Sequence, residues 1–135
     1  MKIIAIIARI LLGLTFLIAG LNGFFNFIPA PPIPGLAGTF AGVLAQSHYF
    51  LFVAAVQTIA GALLLIDQFV PLALALLAPV IANILVFHLT MQPRGLPPGI
   101  VALILWIILA YRFRAHFAPL LVRKTESGTK EKTTA

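Results

Sequence analysis

The sequence predicts an all-α membrane protein: a four-transmembrane-helix bundle with both termini in the cytoplasm and a short half-helix in the first external loop. Three observations predict it. First, the 135 residues are 61% hydrophobic and only 9% charged, whereas soluble domains run near 45–50% apolar and about 25% charged. A small soluble domain leaves much of its surface in water, so it could not bury that much apolar side chain. Second, the apolar residues fall into four stretches, each able to cross a hydrocarbon core that needs about 20 helical residues. Third, six of the nine Lys and Arg residues lie at or beyond Arg112, which is the usual mark of a cytoplasmic flank beside a membrane span.

The four spans are expected at about 3–28, 48–66, 69–91 and 96–113, within a transmembrane domain covering 1–120. The first stretch resembles a signal peptide in being apolar and N-terminal. Its basic start is only Lys2, Arg9 interrupts it, and it continues too far without a small-residue cleavage site. Pro29, Pro31, Pro32 and Pro34 then end the helix, because proline lacks the donor that a continuing helix needs. Gly35 to Gln46 is small and half-apolar, and reads as a short interfacial or re-entrant helix. Asp67-Gln68 is a tight turn, so the second and third spans should form an antiparallel hairpin. The link Gln92–Gly99 breaks the third span and starts the fourth. From 121 to 135 the chain turns small, polar and basic, and is expected to be a disordered cytoplasmic tail.

Charge sets the orientation. The proline-rich loop and the Asp67 turn carry no Lys or Arg, and the third loop has only Arg94. The basic C-terminal flank therefore lies inside, and four spans return the N-terminus to the same side, with Lys2 and Arg9. The multi-pass chain is assigned to a bacterial-type cytoplasmic (inner) membrane, with membrane lipids as its first partners. A net charge of +6 does not indicate nucleic-acid binding here, since no fold remains to carry a basic groove. The absence of cysteine removes thiol exchange, cysteine-ligated clusters and covalent haem attachment.

With no enzyme motif present, the polar groups inside the spans carry the functional signal, because such groups are costly in hydrocarbon. Asn22 and Asn26 fall in the outer half of the first span, Gln57 near the middle of the second, and Asn83 and His88 in the outer half of the third. This asymmetry suggests a small polar cavity beneath the proline-rich loop. At 100° per residue, Asn83 shares a stripe with Pro79, Phe87 and Thr90, while His88 stands about 140° away from Asn83. Each residue has a structural alternative: the amides can hydrogen-bond between helices, and Trp106 can simply pack. Arg9 is expected to snorkel to headgroups, and Pro79 to free the carbonyl of Ala75 and kink its helix. Gly13, Gly20 and Gly23 are expected to permit close helix approach. His48, His88 and His116 are too scattered for a metal or haem site.

The run ARILLGLTFLIAGLNGF (Ala8–Phe24) resembles the first helix of DoxX-like membrane proteins. QTIAGALLLIDQFVPLALALLAPVIANILVFHL (Gln57–Leu89) is similar to their second and third helices, with Asn83 and Phe87-His88 as the distinctive ending. The resemblance implies a four-helix inner-membrane protein, in some members a subunit of a quinone-linked oxidoreductase. Many members carry an acidic residue where this chain has Gln57, a departure that weakens any transfer of proton-coupled chemistry. On this reading Asn22, Gln57, Asn83 and His88 would hydrogen-bond a quinone headgroup, with Phe87 and Trp106 flanking the ring. No covalently bound cofactor is expected, and the chain is not expected to be catalytic alone. Electron transfer would need a protein partner. Two alternatives stand beside it: a non-enzymatic scaffold or assembly factor, working with a partner or as a homo-oligomer, and a small permease or lipid-handling protein.

Overall fold

The computed structural model describes residues 2–125, and the described residues are helical with no strand among them. The last ten residues of the predicted tail lie outside the described residues. Four long helices carry the architecture: α1 (Lys2–Phe25), α3 (Tyr49–Leu65), α4 (Val70–Thr90) and α5 (Leu96–Arg112). A shorter α2 (Gly35–Gln46) precedes α3, and α6 (Arg114–Phe117) follows α5, extended by a 3-10 turn over Ala118–Leu121.

The helix limits follow from local chemistry. α1 stops at Phe25, short of the predicted 28, and four residues before the first proline. Asn26 adopts a left-handed φ of 47° and its N–H donates to the Asn22 carbonyl at 2.8 Å. The Asn22 side-chain oxygen then accepts from the Ile28 N–H at 2.8 Å. Asparagine tolerates this conformation and caps a helix end well, so the helix ends there before the prolines are reached.

α3 ends in a Schellman arrangement. The Gln68 N–H donates to Leu63 and the Asp67 N–H to Leu64, with Asp67 left-handed at φ 57°. Phe69, also left-handed at φ 51°, sits immediately before α4. The chain reverses in four residues, and the expected antiparallel pairing of α3 with α4 follows. The predicted half-helix is present over its full predicted length, and α2 meets α3 at 84° across a corner where His48 is left-handed.

The four long helices form a closed ring in which α1 touches α3 and α5, and α4 touches the same two. Leu12, Phe16, Leu64, Leu74, Leu77 and Leu109 fill its centre. The outward faces are equally apolar: Ile7, Leu14, Ile18, Leu72, Val101 and Ile104 are all exposed. Such a surface belongs in hydrocarbon, where every backbone group must be paired internally and helices meet that requirement. Three helices are long and apolar enough to cross a membrane: α1, α4, and α5 with the preceding turn from Pro93. A fourth span is reached when the bent pair α2–α3 counts as one. α3 alone, with 17 residues, extends about 26 Å, slightly less than a hydrocarbon core of about 30 Å.

The antiparallel order gives the ring two distinct ends. Lys2, Arg9, Asp67, Arg112 and Arg114 mark the basic end. Asn22, the proline loop, α2, His88 and Arg94 mark the loop end.

Candidate functional site

The tightest helix pair is α1 with α3, and glycine makes it possible. A Cβ at Gly20 would meet the hydroxyl of Thr58, its backbone nitrogen at 2.6 Å and the Ala54 carbonyl at 2.8 Å. A Cβ at Gly61 would strike the Leu17 nitrogen and come within 2.8 Å of the Gly13 carbonyl. Between membrane helices, where no hydrophobic drive acts, such close packing of small residues supplies cohesion. The expected role of Gly13, Gly20 and Gly23 is thereby met, with Gly61 as an additional member.

Gln57 lies on the buried stripe of α3, between Ala54 and Gly61. It is 6% exposed, and its side-chain oxygen is fully buried with no hydrogen-bond partner. An unpaired buried acceptor costs about 1–3 kcal/mol, which makes Gln57 the one buried polar residue in need of an explanation among the described residues. Asn22 is half-buried, but its oxygen is committed to the turn that ends α1. Asn83 points away from the bundle: it is exposed, as are Pro79 and Thr90 on the same stripe.

His88 and Phe87 sit near the loop end of α4. The His88 Nδ1–H donates to the Ile84 carbonyl at 2.7 Å, which leaves Nε2 as the ring's acceptor. Phe87 lies edge-on to the imidazole at 5.1 Å, and the Phe40 ring of α2 lies 5.7 Å from Phe87. Gly95, in the turn before α5, presses against the imidazole so closely that a Cβ there would overlap its Cδ2 and Nε2. Phe40 and Gly95 therefore join this cluster, and neither carries a sequence pattern that would have singled it out.

Trp106 is elsewhere. Its indole N–H donates to the Leu74 carbonyl at 2.8 Å, toward the basic end, one residue before the carbonyl that Pro79 frees. Leu74 and His88 are 14 positions apart on one helix, or about 21 Å along its axis. Trp106 and Phe87 therefore cannot flank a single ring, which corrects that part of the sequence-based expectation. The indole instead ties α5 to α4, as the packing alternative expected.

Arg9 also departs from expectation. Instead of snorkelling outward it is half-buried and turns toward the end of α3. Its guanidinium donates to the Leu64 carbonyl and to the Leu65 carbonyl at 3.3 Å, and Nε lies 3.7 Å from the Asp67 carboxylate. The Leu64 carbonyl also accepts from the Asp67 N–H, so the guanidinium is an additional donor there, and at Leu65 it reaches one of the last carbonyls of the helix, which have no intrahelical donor.

Two weakly formed cavities lie elsewhere than the polar one expected beneath the proline loop. One, of about 170 Å³, lies between α4 and α5 and is lined by apolar residues including Ile81, Leu85, Leu103 and Trp106. The other, an open groove of about 610 Å³, lies at the basic end between Trp106 and Leu121. Of the six candidate residues Phe87 and His88 are in contact, while Gln57 is buried on α3, Asn83 is exposed, Trp106 bonds to Leu74 and the Asn22 oxygen is committed to its own turn. No group of three or more metal-ligating side chains occurs among the described residues. In comparisons with known proteins, no family model, no curated protein and no solved structure matches this chain.

Proposed function

We propose that this chain is a four-span membrane subunit of a quinone-linked redox system, of the kind the DoxX-like resemblance implies. In this reading α3 makes the second span, and α2 is the half-helix of the external loop before it. The N- and C-termini share the cytoplasmic side, and the membrane is the inner one. The observation that carries the proposal is the cluster at the loop end. His88 has one ring nitrogen held by the Ile84 carbonyl, so Nε2 is the acceptor left for a quinol hydroxyl. Phe87 and Phe40 supply flat apolar walls beside it. Gln57, Asn22 and Trp106 shape the bundle in this reading and do not touch the headgroup, and electrons pass through a partner chain.

The test is titration of purified protein in nanodiscs with a short-chain quinol. His88→Ala should weaken binding about fivefold to tenfold, the worth of one good hydrogen bond and its aromatic neighbour. Gly95→Ala, which places a methyl group on the imidazole, should weaken it similarly. Asn83→Leu should leave it unchanged. Wild-type protein that is folded and binds no quinol refutes the proposal.

A second reading, the non-enzymatic scaffold, is favoured by Asn83. An amide exposed mid-helix on a lipid-facing surface is poorly satisfied, and interhelical amide bonds are a common glue between membrane chains. In that case Asn83→Leu should abolish association with a protein partner or a second copy in crosslinking, with His88→Ala silent.

A further inference from the structure

The groove at the basic end has a composition that the quinone reading does not use. Trp106, Ala110, Phe117, Ala118 and Leu121 form its apolar walls, and Arg114 stands at its mouth. It exists because the chain turns after α5: Phe113 breaks the helix, and α6 with its 3-10 extension folds beside the last turns. Ala110, Ala115 and Ala118 keep the groove open, since each offers only a methyl group where a longer side chain would fill the space.

Arg114 is held in place. Its Nη1 donates to the Tyr111 carbonyl at 2.8 Å, and the guanidinium stacks over the Tyr111 ring, 4.3 Å from the centroid. Arginine has five donors in a planar fork suited to phosphate oxygens, and this contact uses one of them. Arg112, Arg123 and Lys124 lie close by in the chain and are exposed, whereas Asp67 is the one acidic residue among the described residues and already faces Arg9. Arg114 is thus the charged group in the lining of the groove, and the rest of that lining is apolar.

We infer that this groove is a specific site for an anionic phospholipid, with the phosphate on Arg114 and an acyl chain along Trp106, Ala110 and Leu121. A ligand here must be amphiphilic, negatively charged at one end and hydrocarbon at the other. The exposed Leu120, Leu121 and Val122 would immerse the same segment in the membrane boundary. The chain's own residues 126–135 make a poor occupant, because ESGTKEKTTA contains no apolar side chain larger than alanine. The inference requires that the chain span a membrane. It does not depend on quinone binding, so a protein that binds no quinol can still bind lipid here.

Trp106 is the sole tryptophan and forms one wall of the groove, so its fluorescence reports occupancy directly. The full-length protein is reconstituted into phosphatidylcholine vesicles containing increasing mole fractions of brominated-chain phosphatidylglycerol or brominated-chain phosphatidylcholine. The phosphatidylglycerol should quench at about fivefold lower mole fraction, the contribution of one basic side chain near a membrane surface. Arg114→Gln should bring the two lipids to parity, while Lys2→Gln, a charge at the same end but outside the groove, should keep the preference. Ala118→Phe should fill the groove and remove the preferential quenching with helicity by circular dichroism unchanged. Equal quenching by both lipids in the wild type, or no quenching by either, overturns the inference. So does a preference that falls as far in Lys2→Gln as in Arg114→Gln, which would show a diffuse surface charge.

Discussion

Arg9 illustrates how much a single side chain can decide when water is absent. Its guanidinium adds donors to the last carbonyls of α3, and its contact with Asp67 is peripheral, because that carboxylate is 65% exposed. The two partners should therefore differ in weight. Arg9→Gln is expected to destabilise the protein by about 1.5–3 kcal/mol, the range for hydrogen bonds to a charged group. Asp67→Asn should cost under about 1 kcal/mol, as exposed ion pairs do. Reversible unfolding in mixed micelles measures both, and equal losses would mean that the ion pair, not the carbonyl contact, holds the corner. Gln57 offers the opposite case. Its buried oxygen has no partner, so Gln57→Leu should be neutral or stabilising by about 1 kcal/mol. A loss of several kcal/mol in the same assay would reveal a donor, supplied by water or a ligand, at that oxygen.

At the scale of helices, the α1–α3 pair sets the rest of the bundle in place. Gly20 and Gly61 let two backbones approach where any Cβ would meet main-chain atoms, which cannot move aside as a flexible side chain can. Gly20→Ala should therefore cost about 1–3 kcal/mol through overpacking. Gly42 in α2 has open space around its Cβ position, so Gly42→Ala should be neutral or slightly stabilising, as alanine is the better helix former. Thermal melts followed by circular dichroism compare the two, and the idea fails if both variants melt alike. These glycines were legible as a face of α1 because their spacing is local. Their partner Gly61, and the depth at which the two helices meet, were not.

For the whole molecule, the proposed four-span threading is directly testable. The chain contains no cysteine, so single introduced cysteines are clean probes of topology. With four spans and both termini inside, Ser47→Cys at the α2–α3 corner should react with an impermeant maleimide added outside intact cells, and Thr125→Cys should react only after lysis. Labelling of both from outside would remove the N-in/C-in arrangement and leave α2–α3 as a re-entrant segment. The two ends of the ring also separate two chemistries: an aromatic–histidine cluster beside α2, and a basic groove closed by α6. About 21 Å of apolar helix lies between His88 and Leu74, whose carbonyl the indole reaches, so the two sites can be disabled independently.

The sequence by itself determined where helices begin and end to within three residues, because those limits come from local chemistry. Proline, left-handed asparagine and aspartate, and the length of each apolar run act on their own neighbours. It also determined that the chain has apolar runs long enough to cross a membrane, which the helices match. What only the tertiary structure decided is the direction each helix faces. In a soluble helix an apolar stripe marks the buried side, but here lipid and core are both apolar and no such stripe exists. Asn83 could therefore be assigned to the interior from its depth, yet it faces outward, and Trp106 could be placed beside Phe87, yet it bonds to Leu74 at the other end. The rotation of α4 and α5 about their axes follows from packing against neighbours: Gly99 against Ile84 and Leu85, and the indole against the α4 backbone. Those contacts join residues distant in the chain, and no local pattern encodes them.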